Sequence, residues 1–156
     1  MNFAAIPLDW IIIAIVLLLV TLDAYRGGAS RAIAASLALP IAVLLYGLLL
    51  QSPLMSSMFK SLSPTVGRAL LFALIAVLLF ILIHRMISSY GGDRGRVLQA
   101  LMCGIAFSVV LIVSWLQVAA LLAVWHPGAM VSALFGASYW VFWLIGAFIL
   151  LVLARR

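Results

Sequence analysis

Long stretches of this chain carry no charge. Trp10–Leu22, Ala32–Leu50, Ala69–Ile83, Val97–Trp125 and Ala129–Ala154 are uncharged and mostly aliphatic. A helix needs roughly 20 apolar residues to cross about 30 Å of hydrocarbon. The pattern therefore predicts an all-α, polytopic transmembrane helical bundle, one integral membrane domain over residues 1–156, with about five spans. They fall at about 10–25, 30–50, 66–87, 97–125 and 129–153. A four-span alternative omits the last.

The polar positions punctuate these runs. Pro7-Leu8-Asp9 reads as a helix start, with Asp9 accepting the free N–H groups of the first turn. The first span is read as retained, since it lacks a basic leader and an A-x-A-like cleavage site. Gly27 and Gly28 stop and reverse the chain before span two. Pro40 is expected to kink that span. Between Pro53 and Pro64, Leu54, Met55, Met58, Phe59 and Leu62 recur at helical spacing opposite serines and Lys60. Such a segment predicts a short amphipathic helix at about 53–64, lying in the interface as a connector or a lipid sensor. The run Val97–Trp125 has 29 residues, about 43 Å of straight helix. It must tilt, break or project, and Gly104 is a candidate break. His126-Pro127-Gly128 reads as a turn.

Charge then orients the spans. With five of them, Arg26, Arg31, Arg85, Arg94, Arg96, Arg155 and Arg156 fall on one side and Lys60 and Arg68 on the other. Seven against two places the first group in the cytoplasm, the N-terminus outside and the C-terminus inside. Composition agrees: 69% of residues are hydrophobic and 8% charged, against about 25% charged in an average soluble domain. The net charge of +6 points to anionic lipid headgroups, because the arginines flank apolar runs. Nucleic acid is excluded as a partner, since no basic run exceeds two residues.

Helices in lipid associate through small residues. Gly28, Ala32, Ser36 and Pro40 recur at four-residue spacing in span two, and Ala100, Gly104 and Ser108 in span four. These are expected helix-packing faces; a pore lined by small residues is the alternative.

Chemistry-bearing groups are few. Asp9, Asp23 and Asp93 are the only acids, all at span ends. Asp23 has Arg26 at i+3, the spacing of a helix-surface ion pair; a proton relay is the other reading. Asp23, Arg26 and Arg31 share the cytoplasmic side with Asp93, Arg94 and Arg96, forming a candidate polar cluster. The loop GGDRGR, residues 91–96, is a plain turn or a contact for lipid phosphate. His84 and His126 have no carboxylate or cysteine at ligand spacing. Cys103, the one cysteine, lies inside an apolar run and reads as a small buried hydrophobe. No catalytic, metal or cofactor site is expected. Tyr139, Trp140, Phe142 and Trp143 sit inside the fifth run. Either the span begins later than Ala129, or these rings pack against another helix or subunit.

The stretch LDWIIIAI, residues 8–15, followed by Arg26-Gly27, resembles the opening of the colicin V production protein (CvpA) family of bacterial inner-membrane proteins. Gly92-Asp93-Arg94 with RVLQALMCG, residues 96–104, resembles that family's Asp-Arg-x-Leu-Gly-x-x-x-Gly segment. The similarity covers about residues 8–125. Arg31 and Ala32 depart from the family's usual glutamate, Gln99 from its glycine, and the fifth apolar run from its polar tail. The resemblance implies a non-enzymatic multi-pass protein linked to toxin production or export and envelope maintenance. Its implied partners are membrane lipids and either further copies of itself or export-machinery subunits; no catalytic residues carry over. A small transporter or channel subunit is the competing expectation.

Overall fold

The computed structural model describes residues 7–52, 64–88, 97–136 and 138–154. Every regular element among them is a helix: α1 (Leu8–Gly27), α2 (Ala29–Leu50), α3 (Pro64–Ser88), α4 (Val97–Gln117), α5 (Ala119–Leu122), α6 (Ala129–Phe135) and α7 (Trp140–Ala154). The first four are long and apolar enough to cross a membrane. α6 and α7 together give a fifth candidate, bent by 72°. The expected interfacial helix at 53–64 lies outside the described residues apart from Pro64, which opens α3.

α4 is the centre of the bundle. Half of its apolar window is buried, against 6% in α1 and 11% in α3. It packs on α1, α2 and α7, while α3 packs on α2. One core joins Ala24 of α1, Ala29 and Ala32 of α2, Ala100, Cys103 and Ala106 of α4, and Ala147 and Ala154 of α7. The preference for alanine has a physical cause. Lipid tails compete with any apolar side chain, so helices gain by bringing backbones close, and small residues permit that. Larger groups, among them Leu18, Leu44, Leu74 and Ile149, stand exposed on the outer faces. In water such a surface would be an aggregation liability; against lipid it is matched.

The cores also fix the directions. Ala24 at the end of α1 meets the start of α2 and of α4 and the end of α7. Tyr46 near the end of α2 meets Phe72 near the start of α3, and Val118 beyond the end of α4. Hence α1, α3 and α7 run one way and α2 and α4 the other. Leu8 and Ala154 lie at opposite ends of the bundle, called here the Asp9 end and the Asp23 end.

Three expectations are corrected. The fourth run does not break at Gly104, which lies inside an unbroken α4; the helix stops at Gln117, and extended Val118 (φ −102°, ψ 102°) turns the chain into α5. The fifth run is not one helix. α7 begins at Trp140 and holds 15 residues, about 22 Å, which is shorter than the hydrocarbon layer. Asp9 does not cap α1, whose N-cap is Pro7 with no side-chain bond. α2 runs through Pro40 as one helix, as membrane helices tolerate when a neighbouring helix supports the freed backbone.

Candidate functional site

At the Asp23 end, the polar cluster expected from sequence is only partly assembled among the described residues. Gly28 has φ 85°, a left-handed conformation that L-residues avoid. It reverses the chain within one residue between α1 and α2. That reversal brings Arg31 back across Gly27, and its guanidinium reaches Asp23 Oδ1 at 3.6 Å. The expected Asp23–Arg26 pair is therefore replaced by Asp23–Arg31: the local i+3 rule assumes a helix continuing undisturbed, whereas the turn delivers a second cation. Both partners are more than half exposed, so the pair contributes little to stability. Beside it is a groove of about 310 Å³ walled by Leu19, Val20, Ala35, Phe80 and Phe107. Asp93, Arg94 and Arg96 lie outside the described residues.

The small-residue positions divide. Ala32 and Ser36 of α2, and Ala100, Gly104 and Ser108 of α4, are buried. Gly28 is not a packing position but the turn itself, half-buried and outside both helices. Gly104 receives Thr21 of α1 so closely that a methyl group there would collide with Thr21 Oγ1 and stand 3.2 Å from its Cβ. Each serine donates its hydroxyl to the carbonyl four residues back, Ser36 to Ala32 at 2.8 Å and Ser108 to Gly104 at 2.9 Å. A hydroxyl satisfied within its own helix leaves no polar group unpaired in the apolar interior.

The Asp9 end is more elaborate. Asp9 Oδ2 accepts the Gly128 N–H at 2.7 Å, tying the start of α1 to the turn before α6. The carboxylate approaches so closely that any side chain at position 128 would displace it. Indole N–H groups hold the carbonyls that the broken helices leave free. Trp115 Nε1 donates to the Trp125 carbonyl at 3.0 Å, and Trp143 Nε1 to the Leu134 carbonyl at 2.8 Å. Trp143 also stacks on Phe135, with ring centres 4.8 Å apart. Of the aromatic group expected in the fifth span, Trp143 thus packs inward. Tyr139, Trp140 and Phe142 are exposed at the late start of α7.

This framework encloses a partly open cavity of about 980 Å³ between the ends of α2 and α4, the start of α3, and α5–α6. Its depth is apolar or aromatic, with Tyr46, Val113 and Phe135 buried. Its rim carries Thr65, Arg68, Gln117 and His126, all exposed. Arg68 lies close enough for its charge to act on the Tyr46 phenol. The cavity is at the upper end of the roughly 300–1,000 Å³ typical of small-molecule sites. It escapes sequence reasoning because five elements contribute to its walls. The available signal was a lone arginine near a span start with no acid nearby in the chain. Among the described residues no cluster of three or more His, Cys, Asp or Glu could hold a metal ion.

Fold and site define a multi-pass, all-α helical bundle with an amphipathic cavity at one end. Compared with known family models, curated proteins and solved structures, the chain matches none.

Proposed function

We propose that this protein is a non-enzymatic, multi-pass component of the bacterial inner membrane that supports toxin export and envelope maintenance, the role implied by its resemblance to colicin V production proteins. The observation that supports an integral, non-soluble role is the gathering of four span-length apolar helices around α4. The arginine distribution supports the N-terminus outside and the C-terminus in the cytoplasm. The work assigned to the protein is binding and assembly in the membrane, through lipid contact and association with further copies or with an export machine. Deleting the gene in a host that carries colicin V should reduce secreted toxin and raise sensitivity to envelope stress, with both restored by the intact gene. Unchanged secretion and unchanged stress tolerance would refute the role.

The cavity at the Asp9 end favours a second reading, a small transporter or channel subunit. That reading needs an aqueous path along α4 from the cavity to Ala100. With Cys103 replaced by alanine, single cysteines from Ala100 to Ser108 should then react with a water-soluble thiol reagent. Uniform protection removes this reading.

A further inference from the structure

We infer that the cavity at the Asp9 end is a binding site for one anionic phospholipid of the bilayer, with its phosphate at Arg68 and its acyl chains against the apolar depth. The inference rests on the membrane-embedded reading and not on the export role. Three observations carry it.

The first is the division of the cavity. Its buried part is formed by Val113, Phe135 and the ring of Tyr46, while its polar groups sit at the exposed rim. An amphiphile has the same division, with a polar head and apolar chains.

The second is charge. Arg68 is the charged residue lining the cavity. The chain has three acids, and none is placed to neutralise it. Asp9 is engaged by the Gly128 N–H, Asp23 is paired with Arg31 at the far end, and Asp93 follows the far end of α3. From Arg68 to Ser88 that helix rises about 30 Å. A guanidinium at a membrane-embedded rim attracts an anion, and its planar fork suits phosphate. Gln117 and His126 stand on the same rim as further hydrogen-bonding groups.

The third is room. A side chain built at Gly47, on the cavity wall, meets nothing within 4 Å. The space is large enough to admit chains without moving a helix.

Native mass spectrometry of the full-length protein, offered equal amounts of phosphatidylglycerol and phosphatidylcholine with identical acyl chains, tests the inference. The wild type should retain one phosphatidylglycerol in preference to phosphatidylcholine by about fivefold, the size of one cation's attraction to an anionic lipid. Arg68→Gln should abolish the preference and Arg68→Lys should keep part of it. Arg26→Gln, at the opposite end, should keep all of it. Gly47→Leu should lower retention of both lipids by filling the cavity. Protection of Cys103 from a thiol dye reports that each variant is folded; should Arg68→Gln unfold, Arg68→Lys and Gly47→Leu still decide the matter.

Equal retention of the two lipids, a preference that survives Arg68→Gln, or retention untouched by Gly47→Leu overturns the inference. So does displacement of the lipid by millimolar inorganic phosphate, which would assign the site to a soluble anion. A lipid-free dimer as the sole species would assign the cavity to a second copy and overturn it as well. Lipid retention and toxin secretion are separate readouts, so this inference and the export role fail independently.

Discussion

Replacing Gly104 with alanine tests the closest helix contact in the bundle. Two effects oppose each other. Alanine is about 0.8–1.0 kcal/mol better than glycine inside a helix. The added methyl would collide with Thr21 Oγ1 and lie 3.2 Å from Thr21 Cβ and 3.4 Å from its Cα. A rotation of the hydroxyl does not relieve the last two contacts, so α1 and α4 must separate. Overpacking of this kind costs about 1–3 kcal/mol, leaving a net loss of about 1 kcal/mol. For a chain of this size that is a fall in Tm of roughly 2–4 °C. Cys103, fully buried beside Gly104 and the only cysteine, supplies the assay: a dye that fluoresces on reacting with thiols reports when the core opens on heating. Thr21→Ala alone should be nearly neutral, because Thr21 Oγ1 is buried without a hydrogen-bond partner. Combined with Gly104→Ala it should recover most of the lost stability. Gly47→Ala is the control of opposite sign: its methyl meets nothing, so the helix-propensity gain acts alone and Tm should rise. If Gly104→Ala raises Tm as Gly47→Ala does, or if Thr21→Ala gives no rescue, the reasoning about this contact is wrong.

Asp9→Ala should cost about 1.5–3 kcal/mol, the worth of a hydrogen bond to a charged acceptor, and Asp9→Asn less, read by the same thermal assay. Equal stability of Asp9→Ala and wild type would show that the Gly128 contact holds nothing. The Asp23→Asn, Arg31→Gln double variant should lie within about 0.5 kcal/mol of wild type, as exposed pairs do; a large loss would mean that the pair is shielded from water. Trp115→Phe should lower Tm by the worth of one hydrogen bond, about 1 kcal/mol, since the ring stays and only its donation to Trp125 is lost.

Much of the bundle is legible in the sequence because its punctuation is chemical. Gly27-Gly28 and Pro64 mark real ends of α1 and α3. The end of α4 is not legible, because the apolar run continues through Val118 to Trp125 without a turn residue. Position 118 becomes extended because α5 is docked against α3 and α4, a tertiary effect that periodicity does not carry. The two acids within the described residues show the same limit. Asp23 has a plausible neighbour at i+3, yet the turn supplies Arg31; Asp9 meets a residue 119 positions away. Small residues were legible as a pattern, but only the packing separates Gly104, which meets another helix, from Gly28, which reverses the chain.

The central claim is that the described helices alternate in direction, so that the chain enters and leaves at opposite ends of the bundle. Reporters fused separately before Met1 and after Arg156, one active only in the cytoplasm and one only outside it, measure this directly. The account predicts opposite sides, with the C-terminal fusion cytoplasmic. Both termini on the same side would contradict it, because α7 would then not cross.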